Sequence, residues 1–346
     1  MTLRTTPDGS TEALDTAYDT ALLDLDGVVY AGGDAIDHAV ESLEAARGHG
    51  MRLAYVTNNA ARTPQAVAEH LTRLGVPAAA EDVVTSAQAV ARLIADQVPA
   101  GAKVLVAGGE GLWTALRERG LVPVESAEDG PAAAVQGYAP DLRWSQLREM
   151  AYAVNAGVPW FASNTDLTIP SPRGIAPGNG AAVEVVRIAT GGTPQVAGKP
   201  LPPMHRETVI RTGARRPLVV GDRLDTDIEG AFAGGVDSLL VLTGVTTPAA
   251  LLAAGPRHRP TYVGADLRDL LAPHPEVRAA DGSGADSGFA CGGWTAVADT
   301  ASGALRADGG GAPLDGLRAL CAAAWTAAAD GRCDLDAAKA LARVGF

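Results

Sequence analysis

The chain has 346 residues, 47% of them hydrophobic, enough for roughly two domains at about 150 residues each, with sizeable cores. Forty acidic residues against 28 basic ones leave a formal charge of −12, which argues against a nucleic-acid partner or an anionic membrane surface. No apolar run approaches the ~18 residues of a membrane span, and the polar, acidic first residues carry no apolar leader, so a cytoplasmic protein is expected.

Taken in chain order, residues 1–17 read as a loose arm. TALLDLD reads as a strand, followed by a Gly-rich turn and a helix over AIDHAVESLEAARGHG that glycine closes. MRLAYVTNN is a second strand. TPQAVAEHLTRLG is a helix with Thr63 as N-cap and Pro64 in its first turn. EDVVTSA is a short strand. Strands alternating with helices predict a mostly parallel, doubly wound sheet.

Residues 84–190 alternate in the same way. The helices are SAQAVARLIADQV, GLWTALRERG and WSQLREMAYAVNAG, and the strands are AKVLVAG, AAAVQGY and PWFASNTD. The Pro/Gly-rich stretch IPSPRGIAPGNG follows. After PQVAGKP come the helix PPMHRETVIRTG, the strand RPLVVGD, the helix IEGAFAGG and the strand DSLLVLTG. The first domain thus resumes after an insertion. The expected division is an arm over 1–17, a core over 18–83 and 191–275, an inserted α/β domain over 84–190, and an extension over 276–346. That extension opens on the Gly/Ser/Asp linker 278–288 and then shows two short strands and two helices. Cys291, Cys321 and Cys333 form no CxxC pair and read as free, mostly buried thiols in a reducing compartment.

Four clusters carry the chemistry, each where a strand ends. In open parallel α/β sheets the ligand crevice lies outside those ends. Asp24 and Asp26 are two residues apart, so an extended strand would turn both carboxylates to one face, as nucleophile and as general acid and base. Thr57, Asn58 and Asn59 offer a hydroxyl, two amides and backbone N–H groups that suit phosphate oxygens. An Asx turn is the alternative there. Lys199, one of three lysines, sits between Gly198 and Pro200. Asp222, Asp225 and Asp227 follow an apolar strand and suggest a hard-cation site, Mg²⁺ if phosphate is the partner.

In this order, DLDGVVY, VTNN, GKP and GDRLDTDI resemble the four motifs of the haloacid dehalogenase (HAD) superfamily. The insertion between the second and third motifs is similar to the cap of its NagD-type, or IIA, subgroup. The resemblance spans about residues 20–272. It implies a Rossmann-like doubly wound parallel sheet with a large inserted α/β cap and a small C-terminal α+β extension. It further implies Asp24 as the nucleophile that forms an aspartyl-phosphate, and Asp26 as proton donor and then base. Thr57 and Asn58 would hold phosphoryl oxygens, with Gly27 and Asn59 beside them, and Lys199 would steady both charges. Mg²⁺ would sit on Asp24, the Asp26 carbonyl and Asp222, with Asp227 orienting Lys199. Asp26 also argues for phosphate esters over halides, because a leaving halide needs no proton.

In the cap, Asn164 and Asp166 are expected substrate contacts, although Thr165 stands where the subgroup often has Pro, and Arg173–Gly174 where Gly-Arg is expected. Cap and tail together resemble the actinobacterial glycerol-3-phosphate phosphatases, whose extension is similar to part of a GCN5-type acetyltransferase. This tail shows no Gly-rich pyrophosphate loop, so a packing or interaction module is expected. The expected substrate is a small phosphorylated alcohol, glycerol 3-phosphate first. Phosphoglycolate, pyridoxal phosphate, a nucleotide or a sugar phosphate are alternatives, as is a phospho-accepting regulatory protein. Homodimer formation through cap or extension stays open.

Overall fold

The computed structural model describes residues 4–171, 173–280, 288–299, 303–329 and 335–346. The chain divides into two compact units, one of residues 1–31, 35–53 and 215–346, the other of 32–34 and 54–214. This partition differs from the expected one. Residues 54–83 and 191–214 group with the inserted domain, and the C-terminal extension groups with the first strand.

In the first unit, four parallel strands run in the order Thr20–Leu23, Pro217–Gly221, Asp237–Val241 and Tyr262–Gly264. Leu23 pairs with Val220, and Val220 with Leu239. All four residues of Thr20–Leu23 are buried, as expected of a strand covered on both faces. The strand Arg52–Thr57 begins in this unit, where the Arg52 N–H donates to the Asp19 carbonyl at 3.0 Å.

Residues 4–17, expected as a loose arm, are docked. Asp8 N–H donates to Thr261 O and Ser10 N–H to His274 O, and Leu14 is wholly buried on the helix Leu14–Ala17. Backbone pairing of this kind leaves no periodic trace in sequence.

The extension carries an antiparallel sheet in the order Arg278–Ala279, Gly288–Cys291, Trp294–Asp299 and Ala304–Gly309, with helices Pro313–Ala329 and Ala338–Val344. The first two of these strands went unread in the sequence. Residues 281–287 of the expected linker, and Cys333, lie outside the described residues. The extension has no core of its own. Trp294, Leu317, Leu320 and Trp325 share one apolar cluster with Ile228, Leu240, Leu251 and Val263. Polar pins fix the seam. The Trp325 indole N–H donates to Leu251 O at 3.0 Å, and the buried Arg318 donates twice to Val263 O, at 2.6 and 3.2 Å. The Arg259 guanidinium lies over the Trp325 ring at 5.5 Å.

The second unit is built on five parallel strands in the order Val122–Val124, Lys103–Ala107, Ala133–Gln136, Trp160–Ala162 and Gln195–Val196. The connection order reverses between Lys103–Ala107 and Ala133–Gln136. That reversal is where such sheets usually open a ligand crevice. Here the chain itself fills it. Gly111 N–H donates to Ala61 O at 3.1 Å, and a side chain on Gly111 would meet the Ala60 carbonyl at 2.5 Å. The Gly108–Gly109–Glu110–Gly111 turn is therefore a seat for residues 60–62, which directly follow Asn58 and Asn59.

Helix starts follow the sequence rules. Thr63 Oγ1 accepts from Ala66 N–H, with Pro64 in the first turn of Pro64–Arg73. Thr85 and Gln88 cap Ser86–Ala95 reciprocally. The Pro/Gly-rich stretch, left without structure in the sequence, folds into a hairpin of Thr168–Ser171 and Gly174–Pro177. Arg173, expected near substrate, is exposed at its turn.

Candidate active site

The residues singled out in the sequence form two groups, one in each unit. The first is acidic. Thr20–Leu23 ends at Asp24, whose N–H donates to Val220 O at 2.8 Å, and the adjacent Pro217–Gly221 ends at Asp222. Asp24, Asp222 and Asp227 bring carboxylate oxygens within 4.8 Å of one another. Asp222 and Asp227 are buried at 0% and 1% exposure. Three carboxylates so close repel strongly in a low dielectric, so a cation is the natural complement. An all-oxygen donor set of this kind fits a hard dication such as Mg²⁺.

Local backbone holds the group. Val245 N–H donates to Asp222 Oδ2 at 2.7 Å, and Arg223 N–H donates to Asp227 Oδ2 at 3.1 Å. Residues Leu224–Ile228 form a single π-turn before the helix Glu229–Gly234. Its wider winding carries Asp227 back toward Asp222. Gly27 has φ +91°, and a Cβ there would meet Asp222 Oδ2 at 2.6 Å, so only glycine fits. Thr243 Oγ1 donates to Gly27 O at 2.6 Å. Gly244, too, has no room for a side chain beside the Asp222 carboxylate.

Two expectations change. The strand stops at Leu23 and the chain bends at Leu25, so strand alternation does not relate Asp24 to Asp26. Asp26 keeps solvent contact, yet partial desolvation raises its carboxyl above the ordinary value, which suits a proton donor. Asp225 stays outside the acidic group. It takes both Arg223 Nε, at 3.1 Å, and Nη2, at 2.8 Å, on its exposed side chain.

The second group surrounds Asn58. Its Oδ1 accepts from Lys199 N–H at 2.8 Å, and its Nδ2 donates to Lys199 O at 3.2 Å and Asp166 Oδ2 at 3.1 Å. Its carbonyl accepts from Ser86 Oγ and Asn164 Nδ2, both at 2.6 Å. The Asn58 amide thus works as a clamp that joins the end of Arg52–Thr57 to the Lys199 turn and to Asp166. Gly198 is obligatory at that turn, because a side chain there would meet Ser163 O at 2.5 Å. Lys199 Nζ donates to Val56 O at 3.2 Å. Asn59 Oδ1 accepts from Ala61 and Arg62 N–H, the Asx turn weighed as the alternative. Thr57 Oγ1 accepts from Asn59 N–H. Asn164 Oδ1 accepts from Asp166 N–H at 3.2 Å, and Asn179 Nδ2 donates to Asn164 O at 2.7 Å.

Sequence reasoning missed Ser86, Thr243, Gly244 and Val245. The last three follow the apolar strand Asp237–Val241, and a strand end beside Pro217–Gly221 was the available signal.

The haloacid dehalogenase-like hydrolase family matches residues 21–122, and the HAD-hydrolase-like family residues 196–270. A D-glycerol 3-phosphate phosphatase of Mycobacterium tuberculosis is 48% identical over 276 residues, covering 78% of this chain and 77% of its own length. The chain belongs to the haloacid dehalogenase-like hydrolases. Within that family it is a phosphomonoester hydrolase. An acid sugar phosphatase of Staphylococcus aureus is 38% identical over 257 residues, or 74% of this chain and 97% of that protein. The crystal structure of a glycerol phosphate phosphatase from Mycobacterium tuberculosis in complex with magnesium superposes with a TM-score of 0.85 at 42% identity, covering 97% of this chain and 99% of that one. The family's chemistry uses Mg²⁺, in agreement with the donor set above. Residues 291–346 match the GCN5-related N-acetyltransferase-like family. Among the described residues no helix is long and apolar enough to cross a membrane.

Proposed function

We propose that the chain hydrolyses small phosphorylated alcohols, glycerol 3-phosphate foremost, through an aspartyl-phosphate on Asp24. The observation that carries this reading is the convergence of Asp24, Asp222 and Asp227 at the ends of two adjacent parallel strands. The substrate named for the 48%-identical mycobacterial relative supports the choice of ester.

The Asp24 and Asp222 carboxylates and the Asp26 carbonyl would hold Mg²⁺, with the Asp227 carboxylate beside them. Bound there, Mg²⁺ offsets charge on the carboxylates and on phosphoryl oxygens. The Asp24 carboxylate attacks phosphorus as the ester P–O bond breaks, and the Asp26 carboxyl gives its proton to the departing alkoxide. Asp26, now a carboxylate, takes a proton from water as that water attacks the aspartyl-phosphate, and inorganic phosphate leaves. On this reading Thr57 and the Asn58 turn would hold phosphoryl oxygens, Gly27 and Asn59 would contribute to substrate binding, and the Lys199 ammonium would offset charge in both steps. Asp166 would contact the alcohol portion and set its size, while Asn164 Oδ1 holds the Asp166 main chain.

Two free, buried thiols, Cys291 and Cys321, support a reducing cytoplasmic setting. A homodimer through cap or extension is tested by the solution mass of the full chain beside that of a chain lacking 276–346.

The test is phosphate release from a panel of small monoesters, including both glycerol 3-phosphate enantiomers, with and without Mg²⁺. Mg²⁺-dependent turnover that Asp24→Asn abolishes supports the reading. Absence of turnover on every ester, with Asp24 still accepting phosphate from an activated donor, overturns it in favour of a regulatory phospho-acceptor.

A further inference from the structure

In the second unit, three guanidinium groups that take no part in the Asn58 contacts converge on one carboxylate. Glu207, on the helix Pro202–Thr212, is fully buried. Its Oε1 accepts from Arg119 Nη2 at 2.9 Å and from Arg211 Nε at 2.5 Å, and its Oε2 accepts from Arg92 Nε. Arg92 lies on Ser86–Ala95, Arg119 caps the end of Glu110–Glu118, and Arg211 lies on Pro202–Thr212. Three helices distant in sequence therefore aim cations at one point. One turn away, Arg206 and Asp96 form a further pair at 3.2 Å that cancels itself.

The charges do not balance. A single guanidinium neutralises Glu207, and the second and third repel the first at short range. Each uses only one nitrogen on Glu207, and each side chain remains 22–27% exposed. Each fork thus keeps donors that Glu207 does not take, on a partly exposed side chain, around a net positive centre in a chain whose overall charge is −12. Guanidinium forks pair best with planar carboxylates and tetrahedral oxyanions. Glu207 already supplies the buried carboxylate, so the outer donors are left for a second, soluble anion.

We infer that Arg92, Arg119 and Arg211 form a binding site for a tetrahedral dianion, specifically free inorganic phosphate, outside the candidate active site. Inorganic phosphate is compact enough to meet three side chains at once, and its two charges match the local surplus. The helix Pro202–Thr212 begins three residues after Lys199, so an anion that stiffens this helix also stiffens the turn that carries Lys199.

The experiment is hydrogen exchange on the full-length protein in Mg²⁺, with inorganic phosphate titrated against sodium chloride at equal ionic strength. It is repeated in Asp24→Asn, which blocks transfer to Asp24 but keeps the phosphate contacts of the candidate active site, so the assignment to the arginines rests on the Arg119 variants. At phosphate tenfold above its Kd, local exchange over 86–95, 110–119 and 202–212 slows about tenfold, in both the wild type and Asp24→Asn. Arg119→Gln loses that protection, while Arg119→Lys, which keeps charge without the fork, retains part of it. Protection reproduced by chloride alone, or unchanged in a folded Arg119→Gln, overturns the site. If Arg119→Gln fails to fold, protection in Arg119→Lys and Arg92→Lys equal to that of the wild type overturns it.

Discussion

Val245 N–H points its hydrogen bond at Asp222 Oδ2 over 2.7 Å, so a buried carboxylate of the acidic group takes its direction from the loop that follows the neighbouring strand. Gly244, one residue earlier, leaves the space in which that carboxylate sits. Gly244→Ala should push Asp222 aside while the strands remain paired. Mg²⁺ affinity measured by calorimetry is expected to fall about 10–100-fold, as when a metal ligand loses its outer support. An unchanged affinity would mean that the loop does not orient Asp222.

Asn58 offers a second test, remote from the acids. Its amide joins the main chain of Lys199 to Asp166. Asn58→Ala removes the hydrogen bonds of this amide to Lys199 and Asp166 and frees the Lys199 turn. Loss of positioning on the ångström scale costs about 100-fold in rate, so kcat is expected to drop by that order with KM changing less. Asp166→Asn keeps the size of the side chain and should affect the choice of ester more than the rate on the best one.

Glu207 sets a pH dependence. Burial alone would raise its carboxyl, but hydrogen bonds and charge from Arg92 and Arg211 outweigh burial and hold it below the ordinary value. A group depressed in the folded state binds fewer protons there than when unfolded. Its stabilisation is therefore present above the unfolded value near 4.5 and disappears as pH falls through the lower folded value. Glu207→Gln should lose about 3–5 kcal/mol at pH 7, because three cations are left without their carboxylate. The gap between variant and wild type should close as pH falls below 4.5. Urea unfolding at a series of pH values reads this directly, and a gap that widens toward acid would contradict it.

Trp325 ties the extension to the strands of the first unit through its ring and its N–H. Trp325→Ala is expected to cost about 3–5 kcal/mol and to shift the unfolding of the whole first unit, seen as coincident transitions by circular dichroism and by Mg²⁺ release. Separate transitions would mean that the extension folds by itself.

Burial pushes the Cys291 thiol up to about 11 and the Cys321 thiol further still. Both should resist alkylation at pH 7.5 in the folded protein and react once it unfolds, as mass spectrometry of the modified peptides would show.

The acidic group was legible because Asp24 and Asp222 stand at the ends of apolar runs. TALL before Asp24 and PLVV before Gly221 and Asp222 announce strands, and a strand end is where a parallel sheet exposes side chains to a ligand. The clamp at Asn58 was not legible, since its partners Asp166 and Lys199 lie more than a hundred residues on. The π-turn that brings Asp227 to Asp222 was hidden as well, because LDTDI fits an ordinary helix start. The docked N-terminal residues and the 168–177 hairpin rest on main-chain hydrogen bonds, to which hydrophobic periodicity is blind. The Arg92–Arg119–Arg211 convergence is visible only once three helices are packed.

Arg318, buried against the Val263 carbonyl, has a consequence for how this chain can change over generations. A segment pinned by a buried cation to another segment's backbone cannot be shed by a stop codon without stranding Leu251, Leu252 and Val263 at a wet surface. Such a surface favours clumping over function. In this chain the acetyltransferase-like tail and the phosphatase sheet therefore stand or fall together, and a shortened copy would expose a sticky apolar face.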